Sequence, residues 1–116
     1  MAPTLFILND APYGNQRAYN GLRLAAAPAS KEGQQVRLFL LADSVGCAKA
    51  GQKVPAGYYN VQSMLGKVAR KGEAALCGTC MDARGMSESE VIDGVKRSTL
   101  AQLADWTAEA DKVLVF

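Results

Sequence analysis

The sequence predicts an α/β fold, five candidate strands in a mainly parallel sheet. Two observations predict it. Short apolar runs alternate with segments of helical period along the whole chain, the pattern of strands joined by crossover helices. The run Val36–Ala42 is also apolar almost throughout rather than alternating, as a strand covered on both faces is. At 116 residues the chain is read as one domain, residues 1–116, because that length supports one core and not two.

Taken in order, the first strand is Thr4–Leu8, closed by the turn-prone Asn9-Asp10-Ala11-Pro12. A helix follows from about Asn15, with Ala18, Leu22, Ala25, Ala26 and Ala29 on one face. Pro28 should end or kink it. The second strand, Val36–Ala42, leads into a long irregular loop, Asp43 to Tyr59, punctuated by Gly46, Gly51, Pro55 and Gly57. Loops of this length inside a compact domain are often functional. The next helix opens near Asn60, carries Val61, Met64, Leu65, Val68 and Ala69 as its stripe, and stops at Lys71-Gly72. The third strand, Ala74-Ala75-Leu76, runs straight into Cys77-Gly78-Thr79-Cys80. Two capping-box patterns come next, Ser87-x-x-Glu90 before a short helix and Thr99-x-x-Gln102 before a longer one bearing Leu100, Leu103 and Ala104. Between them Gly94-Val95-Lys96 reads as a very short strand of ambiguous period, and Lys112–Phe116 is the last strand.

The composition excludes several classes. A net charge of +2 with acids and bases interspersed lacks the basic stripe of a nucleic-acid protein. No apolar run approaches the roughly 20 residues that span a bilayer, and the first run lacks the basic flank of a signal peptide. The expected location is cytoplasmic, with neither nucleic acid nor membrane as a partner. There are three cysteines and no histidine. An odd cysteine count in a reducing compartment argues for redox, metal or catalytic thiols over a disulfide framework. The missing histidine removes the Cys–His nucleophile pair and the ordinary base near neutral pH.

Parallel topology gathers the loops after the first three strands on one edge of the sheet, where open α/β sheets bind ligands at the point of strand reversal. That edge would collect Asn9 and Asp10, the 43–59 loop and all three cysteines. Cys77 stands at a strand-to-helix turn, where unpaired N–H groups and the helix dipole would favour a thiolate, the reactive form. Gly78 has no Cβ and would allow close approach to the backbone. Lys49 and Lys53 would add positive charge from the loop. A thiolate can accept sulfur as a persulfide without a base of pKa near 7. The plainer alternative is a small buried thiol at a strand end.

Asn9-Asp-Ala-Pro-Tyr-Gly14, Cys77-Gly-Thr-Cys-Met-Asp-Ala-Arg-Gly85, Ile92-Asp-Gly94, Trp106 and the closing Ala110–Phe116 resemble the YchN-like branch of the DsrE/DsrF/TusD family. The resemblance runs nearly end to end. It implies a three-layer α/β/α fold, assembly into homotrimers or homohexamers, and sulfur relay through a persulfide-bearing cysteine eight residues before a glycine, which Cys77 and Gly85 match. Cys80 is shared with the YchN-like branch. The sheet order expected on this basis is 2-1-3-4-5.

Three rivals stay open. A thioredoxin-like oxidoreductase places its Cys-x-x-Cys after an early strand, facing a later proline, whereas here the last proline, Pro55, precedes the motif. Zinc in one chain would need a further Cys or His. A non-catalytic oligomeric binding or redox-sensing module would leave Asp10, Asp43 and Asp82 as turn and cap residues. The resulting expectation is a sulfur carrier or sulfurtransferase with Cys77 as acceptor and Cys80 as assisting thiol. Asn9, Asp10, Cys47, Lys49, Lys53, Gly78 and Arg84 are the candidate substrate contacts, with no metal and no cofactor. Sulfur donor and acceptor proteins are the expected partners beside the homo-oligomer. Trp106 is read as a packing residue, Arg84 as an ion-pair or anion contact, and Tyr13, Tyr58 and Tyr59 as residues beside the edge.

Overall fold

Residues 36–40 decide the centre of the sheet: Val36, Leu38, Phe39 and Leu40 are all buried, so this strand needs neighbours on both sides and cover on both faces. The computed structural model, which describes residues 2–116, gives it both. The strands are β1 (Thr4–Leu8), β2 (Val36–Leu40), β3 (Glu73–Cys77), β4 (Val95–Ser98) and β5 (Lys112–Val115), and the helices α1 (Arg17–Ala29), α2 (Val61–Lys71), α3 (Gly78–Ala83) and α4 (Leu100–Glu109). Every pairing is parallel and the order is β4-β3-β2-β1-β5.

The α/β/α class and the five strands match the expectation, but the order 2-1-3-4-5 does not. It would put β2 at an edge, whereas β2 lies between β1 and β3. The physical reason is handedness. Right-handed crossovers that step repeatedly in one direction place their helices on the same face, and α1 packs directly on α2. Only the α4 connection runs back across the sheet, from β4 at one edge to β5 at the other, so α4 covers the opposite face. The reversal therefore falls between β1 and β5, away from β3.

Strand parity divides the core. Phe6, Leu8, Leu38, Leu40, Ala74 and Leu76 pack in the larger cluster with Leu22 of α1 and Leu65 of α2. The odd positions Leu5, Phe39, Ala75 and Cys77 pack instead with Leu103 and Trp106 of α4. Trp106 meets Phe39 edge-on at 6.1 Å and carries the Arg37 guanidinium 5.2 Å from its ring centre, so it is a packing residue as expected. Caps fall where the sequence placed them: Asn60 accepts the Ser63 N–H at 3.1 Å and Thr99 the Gln102 N–H at 3.2 Å. Glu90 accepts the Ser87 N–H at 2.8 Å, although the segment after Ser87 is a single 3₁₀ turn rather than a helix. Pro28 sits in the last turn of α1, where it ends the helix. Among the described residues no helix is long and apolar enough to cross a membrane.

The turn from α2 into β3 is tight. A Cβ on Gly72 would collide with the Val36 carbonyl oxygen, a backbone atom fixed in the sheet. Gly72→Ala should therefore cost about 1–3 kcal/mol, measured as a lower urea midpoint at unchanged slope. An unchanged midpoint would mean that the turn can open without loss.

Candidate functional site

Strand β3 passes into α3 without an intervening residue: Cys77 ends the strand and Gly78 begins the helix. Cys77 keeps extended backbone angles and acts as the helix cap, its Sγ accepting the Cys80 N–H at 3.4 Å. Cys80, one turn further, is half-buried, and its Sγ accepts the Ala42 N–H at 3.2 Å. Ala42 has φ +51°, the left-handed region, and is the only non-glycine there among the described residues. Such a conformation is disfavoured for a residue with a Cβ and concentrates at functional positions. Here it turns the chain from β2 into a 3₁₀ segment, Ala42–Ala48, and aims an N–H at the second thiol. Ser44 anchors that turn from inside, its Oγ 2.7 Å from Leu8 O and 2.6 Å from Leu41 O.

Arg84 ties the far end of α3 to the same turn. Its Nε and Nη2 reach Asp43 Oδ1 at 3.1 and 2.8 Å, and its Nη1 reaches the Cys80 carbonyl at 3.0 Å. A shallow cavity of about 300 Å³ opens beside this clamp, lined by Asp43, Gly46, Lys49, Arg84, Met86 and Glu90 among others. Lys49 pairs with Glu90 at 3.5 Å, so both cations of this cavity face an acid.

The other expected contacts are placed differently. Cys47 lies on the 3₁₀ segment with its side chain turned fully into the core. It is no ligand contact, because the segment's tight winding carries that position inward. Burial pushes its thiol up to about 12. The expectation that all three cysteines share the edge is thereby corrected to two. Asn9 holds the end of β5, its N–H and Nδ2 both on the Phe116 carbonyl at 2.9 and 3.4 Å. Asp10 pairs with Arg17 at the start of α1, 3.0 Å away. Both stand at the end of β1, with β2 between them and the thiol pair. Lys53 is exposed and forms no ion pair among the described residues. Tyr13, Tyr58 and Tyr59 stack on one another with Tyr19, and Tyr13 accepts the Val61 N–H at 3.1 Å. They fasten the long loop to α1 and α2.

One electrostatic expectation is reversed. Cys77 is held above the ordinary thiol pKa, first by burial and then by the neighbouring Cys80 thiol, against the opposing N–H groups of Cys80 and Thr79. A helix of six residues brings too few aligned dipoles to outweigh desolvation by the α4 face. At rest Cys77 is a sheltered thiol rather than a thiolate. No group of three or more His, Cys, Asp or Glu among the described residues is arranged to hold a metal ion.

Two further residues shape the site and carry no mark in the sequence. Ala42 gives no sign there of its left-handed turn. Arg97 belongs to β4, beside β3, one residue beyond the segment of ambiguous period. Its guanidinium lies against Gly78, so that a Cβ there would stand 2.8 Å from Cζ.

A cysteine pair on the carboxyl edge of an all-parallel α/β sheet defines a thiol protein of the three-layer class. The DsrE/DsrF-like family model matches residues 3–116, and the chain belongs to that family. Protein YchN of Escherichia coli K12 is 45% identical, with each chain covered in full, and the crystal structure of the E. coli ychN protein superimposes over the full length of both chains with a TM-score of 0.93. An uncharacterized protein of Methanopyrus kandleri is 40% identical over 95% of this chain and 90% of its own. A protein of unknown function from Methanobacterium thermoautotrophicum, 12% identical over the whole of both chains, shares the fold with a TM-score of 0.76.

The buried thiol supplies a pH test. In the unfolded chain Cys47 ionises near the ordinary thiol value, but in the fold only near 12. A raised folded pKa means stability is full below the unfolded value and falls as pH climbs toward the folded one. Between these limits Cys47 should remove up to about 1.4 kcal/mol per pH unit. Cys47→Ala should flatten that part of the urea-stability profile. Equal alkaline slopes in both proteins would show that the thiol is not buried in solution.

Proposed function

We propose that the protein carries sulfur as a persulfide on Cys77, as a carrier or sulfurtransferase in a cytoplasmic sulfur relay, with Cys80 as its assisting thiol. The observation that carries this reading is the linked thiol pair. Each sulfur accepts a backbone N–H, Cys77 from Cys80 and Cys80 from Ala42, and such donors stabilise negative charge on sulfur when it develops. Membership of the DsrE/DsrF-like family supports the same reading.

The step balances without an external oxidant or reductant. The Cys77 sulfur attacks the outer sulfur of a donor persulfide, R–S–SH, forming a new S–S bond as the donor's S–S bond breaks. The donor leaves as a thiolate and takes up the proton that Cys77 gives up. No histidine is needed, because the leaving thiolate is itself the base. Desolvation keeps Cys77 protonated until a donor arrives, which limits wasteful reaction with other electrophiles. Assembly into trimers or hexamers belongs to the same proposal. Edge strand β5 leaves Val113, Leu114 and Val115 exposed at 40, 36 and 62%, and an apolar edge of this kind is a ready pairing surface. The solution mass should then be a multiple of the 12.3 kDa chain; a monomer at all concentrations would remove this part.

Intact mass after exposure to a low-molecular-weight persulfide tests the carrier role. Wild type and Cys47→Ser should gain the mass of one sulfur, Cys77→Ser should gain none, and Cys80→Ser should gain it more slowly. Sulfur on Cys47, or on no variant, would overturn the assignment. Loss of two hydrogens with no sulfur gained would favour a redox pair, which the one-turn spacing of Cys77 and Cys80 also permits.

A further inference from the structure

Arg97 has a placement that ion pairing alone does not explain. In register, Leu76 stands opposite Arg97 and Cys77 opposite Ser98, so Arg97 leaves β4 on the Leu76 face, and its guanidinium reaches the first residue of α3, Gly78, next to Cys77. A Cβ on Gly78 would lie 2.8 Å from Cζ and Nε and 3.0 Å from Nη2. A side chain at this position would make the guanidinium move from where it lies. Its fork is filled by Asp82, Nη1 to Oδ1 and Nη2 to Oδ2 both at 2.9 Å. That two-point geometry is the one by which arginine recognises carboxylates and other oxyanions. The pair is solvent-accessible, with side-chain exposures of 37% for Arg97 and 65% for Asp82, and exposed pairs contribute little to stability. A glycine in a helix is itself costly, so as a stabilising device the arrangement gains little.

Beside the fork runs an open groove of about 330 Å³, with Ala74 and Ala75 along it, Trp106 and Gln102 on its α4 side, and Ser98 and Arg97 among its lining. It lies on the face toward which Cys77 packs. The cluster that holds Cys77 includes the uncharged Leu103 and Trp106 from α4, with Cys80 from α3 and Leu41 after β2 packed against it, and Ser98 is its register partner on β4. Lys96, level with Ala75, is a cation of the groove's lining; Arg97 is the cation held against Gly78, the residue that follows Cys77. The Asp82 hydrogen bonds hold its guanidinium above the ordinary pKa, with smaller attractions from Glu88 and Cys77.

We propose that Arg97 is the anion-recognising residue of the Cys77 site, and that Asp82 occupies its fork until an anionic sulfur compound, of the persulfide-anion or thiosulfonate class, displaces the carboxylate. The chemical identity of that ligand rests on the sulfur-carrier reading; the charge selectivity does not.

The test compares an anionic and a neutral reagent on the full chain. Cys77 is alkylated by iodoacetate and by iodoacetamide, its sulfur displacing iodide in each, and peptide masses resolve Cys77 from Cys80. The ratio of the two rates at Cys77 should fall roughly fivefold in Arg97→Gln, the order expected for loss of one solvent-screened charge near the site. Arg97→Lys should keep most of the ratio, and Asp82→Asn should raise it. Added salt should shrink these differences. Ratios unchanged in both Arg97→Gln and Asp82→Asn would overturn the proposal. Should Arg97→Gln fail to fold, an unchanged ratio in Asp82→Asn does so alone. Wild type that shows the ratio but takes no sulfur from a persulfide donor would fail the carrier reading and leave Arg97 standing. Sulfur loading with no charge preference would do the reverse.

Discussion

The site depends on the absence of a loop between β3 and α3. Most strand-to-helix connections spend several residues on the turn; here the strand's last residue is the helix cap. Cys77 is therefore fixed twice, by the parallel pairing of β3 with β2 and β4 and by the Cys80 N–H on its sulfur. Strand parity sends that sulfur to the α4 face, while the next turn of the helix brings Cys80 round to the turn after β2. A single inserted residue would move Cys80 by about 100° around the helix, one residue's share of a turn, and break the link between the two thiols.

Charge at this edge is compensated almost residue by residue. Arg84 faces Asp43, Lys49 faces Glu90 and Arg97 faces Asp82. With no histidine in the chain, no imidazole stands among these charges. The resting site thus offers two thiols, fixed N–H donors and cations already engaged by carboxylates. Chemistry at such a site must be started by the molecule that binds, because an incoming anion both supplies a leaving group and competes for the paired cations. A Cys–His pair works differently, holding its thiolate ready before substrate arrives.

How much of this is legible in the sequence depends on which residues obey a period. The strands at 4–8 and 36–40, the Asn60 and Thr99 caps and the cysteine pair after the third strand are readable because burial and capping leave local marks. The sheet order is not, because it is decided by the side to which each crossover turns, a property of packed helices such as α1 against α2. Cys47 misleads for a related reason. Its segment reads as irregular loop, but a 3₁₀ turn winds it into the core, and three residues per turn give no stripe that two-fold or 3.6-fold patterns detect. Arg97 stays hidden because an edge strand with one buried residue in four shows no alternation, and its partner Gly78 is far away along the chain.

The three thiols form a gradient that bears on which one suits the proposed role. Cys47 is fully enclosed, Cys77 is 7% exposed, and Cys80 is half-buried toward the turn after β2. A persulfide loses its outer sulfur to any accessible thiol, so a carrier needs its loaded atom shielded yet within reach of a docked partner. Cys47 fails the second requirement and Cys80 the first. Cys77 meets both, packed against Trp106 and Leu103 yet at the last position of its strand. The architecture does not impose that choice, since the same fold persists in a protein only 12% identical, and folds host chemistry without dictating it. What singles out Cys77 is the local constraint: a strand end that is also a helix start, on the less covered face of the sheet, with glycine next in line.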